Sequence, residues 1–236
     1  MSPFDALLAF ALVAGLLTLV PGLDTALVLR SSLTRSRAYA WATAAGIATG
    51  AMAWGIAAAV GVSALLTASE AAYRVVTITG AAYMCWLGGS MIYRSVRGGR
   101  PVTLPTAPRG GPGDPADSPL RGWLAGAGTN LLNPKVGVFY IATIPQFLPA
   151  GVAPLPMGAA LAAVHGALTL AWFALLITAG AMMRRRLMNP RALATIDRGT
   201  GLVLIGFGAK LLYDALMSGP ATVPAASAPT GLSAAR

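Results

Sequence analysis

Six apolar stretches, each close to or above the roughly 20 residues that carry a helix across a hydrocarbon core, constrain this chain more than any other feature. They run over 4–29, 39–62, 72–93, 122–147, 157–182 and 199–217 of 236 residues. In lipid every backbone N–H and C=O must be satisfied within the protein, so stretches like these fold as helices. Only 10% of the residues are charged, and mean hydropathy is +0.69, against the roughly 25% charged of a soluble domain. The expected class is therefore all-α: a polytopic membrane protein whose membrane bundle is the whole fold.

The net charge of +10 raises nucleic acid as a partner, and its distribution answers the question. Thirteen of the 17 Lys and Arg fall in three connections: Arg30, Arg35 and Arg37; Arg94, Arg97, Arg100, Arg109 and Arg121; Arg184, Arg185, Arg186, Arg191 and Arg198. The alternate connections are nearly bare, since 63–71 carries only Glu70 and 148–156 has no charge. This asymmetry places the basic connections in the cytoplasm, beside anionic lipid headgroups, with both termini outside. No nucleic-acid partner is implied. The N-terminus lacks the basic region of a cleavable signal, so the first stretch is expected to remain. Cys85 is alone, which excludes a disulfide, a CxxC redox pair or a thiolate metal site within the chain.

Residues 98–119 hold six prolines and five glycines and read as a flexible cytoplasmic linker. They separate a first unit, 1–97, from a second, 120–217, with a disordered tail over 218–236. Each unit has three stretches. An odd number makes a duplicated unit sit upside down relative to its partner, an inverted-topology repeat. Leu87-Gly88-Gly89-Ser90-Met91-Ile92-Tyr93-Arg94 can be laid on Phe207-Gly208-Ala209-Lys210-Leu211-Leu212-Tyr213-Asp214, matching a glycine and a tyrosine.

In both units the first stretch is broken by proline beside a charge: Val20-Pro21-Gly22-Leu23-Asp24-Thr25 and Asn133-Pro134-Lys135-Val136. Proline removes a donor and clashes with the preceding turn, and a charge in a membrane span is costly and tends to be functional. Asp24 is placed to cap the half-helix that starts after Pro21-Gly22, a structural reading that competes with a ligand-binding one. Lys135 opposes the dipole at the start of its half-helix. It lies too far from Arg121 to reach the surface easily. It therefore needs a partner: Asp24, another polar group or an anionic substrate. Asn133 can satisfy loosened backbone and contact a ligand. His165 can join a proton path or simply hydrogen-bond a neighbouring helix. Lys210 and Asp214 read as a local ion pair. Trp54, Trp86, Trp172, Tyr83 and Tyr140 line a cavity or pack against lipid, and the many small residues favour close helix packing and permit a homodimer.

Three motifs carry a resemblance. Pro21-Gly22-Leu23-Asp24-Thr25-Ala26-Leu27-Val28-Leu29, Gly80-Ala81-Ala82-Tyr83-Met84-Cys85-Trp86-Leu87-Gly88, and Asn133-Pro134-Lys135-Val136-Gly137-Val138-Phe139-Tyr140 with Pro145-Gln146-Phe147 resemble, in this order, the first-, third- and fourth-helix signatures of the lysine exporter / homoserine–threonine resistance (LysE/RhtB) family of bacterial amino-acid exporters. The family usually has a second proline where this chain has Leu23, which puts the geometry of that break in question. The resemblance implies a secondary transporter, not an enzyme and without a cofactor. It would export amino acids or similar small zwitterions across the bacterial inner membrane in exchange for protons. Asp24 would face the ammonium or carry the proton, Lys135 and the half-helix N-termini would face the carboxylate, Asn133 would hold the break in place, and Thr25 would join the substrate-binding or proton-coupling residues. Pro21, Gly22 and Pro134 would shape the breaks, and His165 would stand near the proton path. An exporter of a metal cation or other small solute is the alternative, although Asp24, Cys85 and His165 are too scattered for a convincing metal-ligand set.

Overall fold

The computed structural model describes residues 1–97, 117–187 and 189–217. The expected tail and all but the last three residues of the expected linker lie outside these, as do the side chains of Arg184, Arg185 and Arg186. Eight α-helices form the described chain: α1 (Pro3–Leu19), α2 (Leu23–Thr34), α3 (Arg37–Ala68), α4 (Glu70–Val96), α5 (Pro119–Leu131), α6 (Pro134–Thr143), α7 (Pro154–Leu187) and α8 (Pro190–Met217). A 3-10 turn over Ile144–Phe147 continues α6.

Local sequence explains the helix starts. Ser2 and Asp5 form a capping box ahead of Pro3, satisfying donors that the first turn leaves free. Ser36, Ser69 and Ser118 each cap the next helix through a side-chain oxygen. Asp117 ties two of these starts together, its carboxylate accepting from Ser36 N at 3.1 and 3.2 Å. The residue before a proline disfavours the helical region, and α1 accordingly ends at Leu19, with Val20 extended. The chain turns by 57° into α2. Leu23 in place of the second proline does not mend the break; it becomes the first residue of α2.

Four helices, α3, α4, α7 and α8, are by themselves long and apolar enough to cross a membrane, and the bent α1–α2 pair makes a fifth. The α8 helix begins about nine residues before the expected stretch at 199, because Arg191, Asp197 and Arg198 occupy helical turns. Their charge masks a helix from a hydropathy reading without ending it.

Close approach of backbones fixes how the helices run. On α3, Tyr39, Thr43, Gly46 and Gly50 meet Gly122, Gly126, Trp123 and Asn130 of α5, and further along Trp54 and Gly55 meet Gly137 and Tyr140 of α6. The α5–α6 pair therefore follows one helix, in one direction, across its break. The other broken pair follows α7. Gly15 lies against Leu168, and Val28 of α2 shares a cluster with Phe173, Leu176 and Ile177. Between α4 and α8 the crossing is antiparallel. Gly88 meets Gly201 O, and Gly208 meets Ala81 O, so the two glycines matched between the units both sit in this contact. Basic Arg30, Arg35, Arg37, Arg94, Arg97, Arg121, Arg191 and Arg198 consequently gather at one end of the bundle.

The α3–α5 crossing is the tightest test of this packing. A Cβ on Gly126 would overlap Thr43 O and reach 3.0 Å from Ile47 N, whereas Gly128, one half-turn away, has nothing within 4 Å. Backbone cannot give way as a flexible side chain does, and overpacking of this kind costs about 1–3 kcal/mol. Thermal unfolding in detergent should show Gly126→Ala melting several degrees lower and Gly128→Ala unchanged. Equal melting of the two would contradict the crossing as described.

Candidate functional site

The two breaks come together. A cavity of about 40 Å³ is lined by Leu17, Thr18, Val20, Gly22, Asp24 and Thr25 from the first break, by Asn130, Asn133, Lys135 and Val136 from the second, and by Ile47, Ala51, His165, Thr169 and Phe173 from α3 and α7. That volume holds roughly three waters. Five of the expected site residues, Asp24, Thr25, Asn133, Lys135 and His165, face this one space, together with the hinge residue Gly22. Among the tryptophans and tyrosines, Trp54, Trp86, Trp172, Tyr83 and Tyr140 do not line it.

Lys135 finds polar partners on the other broken helix. Its ammonium reaches across the gap to the end of α1 and donates to Leu17 O at 3.3 Å and Val20 O at 3.4 Å. A helix that stops inside the bundle leaves its last carbonyls without donors, and its C-terminal end attracts a cation. The lysine that opposes the dipole of its own half-helix thus complements the dipole of another. Lys135 accordingly has a structural role that inspection of its own helix alone did not suggest. Asn133 secures the other side of the break, its Oδ1 accepting from Lys135 N at 3.1 Å. This caps α6, with Pro134 as its first residue.

Asp24 does not cap α2. The N-cap is Gly22, with no side-chain hydrogen bond to the first turn. The Asp24 carboxylate instead accepts from Asn130 Nδ2 at 2.9 Å through Oδ2, while Oδ1 is buried with no partner among the described residues. Asp24 and Lys135 make no ion pair; each is held by a different group. Asn130 is the residue the sequence reading missed. It stands one turn before Asn133 and is 2% exposed. The available signal was the spacing Asn130-x-x-Asn133, which brings a second amide to the face of the break. Asp197 of α8 is a further acid within electrostatic reach of Lys135. Thr200, one turn on, donates to Leu16 O at 3.4 Å.

His165 hydrogen-bonds a neighbouring helix. Its Nδ1 is 2.8 Å from Tyr140 OH; both residues are buried, with the imidazole edge-on to Phe10 and Phe139. The bond ties α7 to α6 just beyond the cavity. Removing one partner leaves the other unsatisfied, at about 1–3 kcal/mol. Tyr140→Phe should therefore lower the melting temperature by several degrees while transport by the surviving folded protein stays within about twofold. Loss of transport without loss of stability would instead place this pair in the proton path. Outside the cavity, Lys210 and Asp214 form the expected ion pair at 2.6 Å on the exposed end of α8.

Proline-broken helices, charged groups facing one internal cavity and a bundle of apolar helices define a membrane translocator. Residues 5–215 match the family model described as LysE type translocator, and the chain belongs to that family. Among curated proteins it is 27% identical over 199 residues to the leucine efflux protein of Enterobacter sp. (strain 638), covering 83% of this chain and 89% of that one. It is 27% identical over 192 residues to the threonine efflux protein of Escherichia coli (strain K12), covering 81% and 90%. It is 26% identical over 209 residues to the membrane protein YrhP of Bacillus subtilis (strain 168), covering 87% and 97%. No solved structure matches it.

Proposed function

We propose that this protein exports amino acids or similar small zwitterions from the bacterial cytoplasm across the inner membrane, in exchange for protons. The observation that carries the reading is that one acid and one lysine face the same cavity without neutralising each other. A zwitterion needs opposite charges a few ångströms apart, each still able to accept a new partner. Asp24 Oδ1 is free to take the ammonium, and Lys135 can exchange backbone carbonyls for a carboxylate, a stronger charge-assisted partner. Thr25 and Asn133 complete the polar wall. The names of the leucine and threonine efflux relatives favour the same substrate class. A divalent cation would instead be repelled by the lysine that shares the cavity.

The bundle supports six crossings arranged as two inverted three-helix repeats, 1–97 and 120–217. Each broken pair lies along the middle helix of the other unit, α1–α2 on α7 and α5–α6 on α3, as a two-fold between the units requires. The same relation brings α4 against α8 and α3 against α7. With α5–α6 as the sixth crossing, both termini lie outside and the basic end of the bundle faces the cytoplasm. The cavity is too small for a leucine, so loading requires one unit to move against the other.

Purified protein in liposomes tests this directly. Counterflow of labelled leucine, threonine or a basic amino acid is expected, and efflux from loaded liposomes should speed up when the outside is made acid. Absence of exchange for every amino acid tried would overturn the reading.

A further inference from the structure

We propose that Thr169 of α7 reads the substrate side chain: its hydroxyl bonds a hydroxyl on the substrate, so that an amino acid carrying one is taken in preference to its apolar isostere. The inference rests on the reading above that Asp24 and Lys135 hold the α-ammonium and the α-carboxylate. A threonine inside a helix commonly satisfies its hydroxyl by donating to the carbonyl four residues back. Thr18, which lines the same cavity, does so to Ala14 O at 2.8 Å. Thr43 and Thr143 bond Tyr39 O and Phe139 O in the same way, and Thr178, on α7 itself, bonds Ala174 O at 2.7 Å. Thr169 breaks the pattern. It lines the cavity and is 4% exposed, yet its hydroxyl has no hydrogen-bond partner among the described residues. Burying a hydroxyl unpaired is unfavourable, which points to a partner that enters the cavity. Thr25 is unpaired too, but it adjoins Asp24 on the first break.

The position of Thr169 decides which part of a substrate it meets. Both charges stand on the breaks, in α2 and α6, which leaves the walls from α3 and α7 for the side chain. The α3 wall is Ile47 and Ala51, one turn apart and apolar. The α7 wall is His165, Thr169 and Phe173, four residues apart and so on one face. The imidazole is already bonded to Tyr140 OH. Thr169 is therefore the free polar side chain of these two walls, and no acid on them answers a second ammonium. A hydroxyl donates and accepts, so Thr169 pairs with a substrate hydroxyl in either sense. An apolar side chain of the same shape shuts water away from Thr169 and leaves it bare, and a site built around such a bond rejects the analogue that lacks it.

The test uses full-length protein in liposomes and counterflow of whichever amino acid the wild type carries. The competitors are threonine and valine, which share a shape and differ by the hydroxyl. Wild type should favour threonine by at least about tenfold, the scale of one hydroxyl left unpaired. Thr169→Val should bring the two to within about twofold, weakening threonine and strengthening valine. Its melting temperature should not fall, because no bond within the protein is lost. Thr169→Ser should keep the preference. No preference for threonine in the wild type, or one unchanged in Thr169→Val, overturns this inference alone. So does an equal loss for both competitors, which would put the hydroxyl on the substrate carboxylate. A wild type that carries no amino acid overturns the function proposed above.

Discussion

Lys135→Met should lower both stability and transport, and the two losses have separate origins. Methionine keeps the bulk and removes the ammonium. Leu17 O retains Val20 N as a donor at 3.3 Å, but Val20 O, in a half-buried residue at the end of α1, loses the lysine. One such orphaned group costs about 1–3 kcal/mol, which in a chain of this size lowers the melting temperature by several degrees. Transport should fall further, by about 100-fold in Vmax/KM, because the substrate carboxylate loses its charge-assisted partner. Lys135→Arg should not rescue it. The two carbonyls, of Leu17 and Val20, are met by one compact ammonium, which a planar fork does not replace. Melting curves and counterflow on the same preparations check both parts.

Asp24→Asn should separate the two effects. The new amide can accept from Asn130 Nδ2 as the carboxylate does, so the one strong contact survives. Replacing a buried carboxylate that has no ion-pair partner removes a desolvation cost. The melting temperature should stay the same or rise, while transport falls by about 100-fold for want of an acceptor charge. The contrast with Lys135→Met is the informative result: two inactive proteins, one weakened and one not. A melting temperature that fell equally in both would mean that Asp24 holds the break together and is not kept for a ligand.

Much of this architecture is visible in the amino-acid sequence because membranes leave few choices. Stretch length, the arginine asymmetry and the prolines at 21 and 134 mark spans, one end of the bundle and both breaks. Chemistry across the gap is much less legible. The partners of Lys135 are backbone carbonyls of Leu17 and Val20, more than a hundred residues away, and a carbonyl has no letter of its own. Asn130 looks like any polar residue in a helix until Gly50 of α3 is seen to accept its amide. The partner of His165, Tyr140, comes from α6 and is not marked by any local pattern around the histidine. The start of α8 was misplaced for a simpler reason: hydropathy sees the charges of Arg191 and Arg198, whereas the backbone sees an uninterrupted helix.

The central claim is that a single cavity binds a zwitterion between Asp24 and Lys135. Competition against counterflow by three close relatives of one carried amino acid tests it most directly: the amino acid itself, its amide, which keeps only the ammonium, and its deaminated acid, which keeps only the carboxylate. The account predicts strong competition by the amino acid and at least about tenfold weaker competition by either single-charge compound, as expected for losing one charged contact. Equal competition by the amide or by the acid would show that one of the two charges does not bind substrate, and would contradict the account.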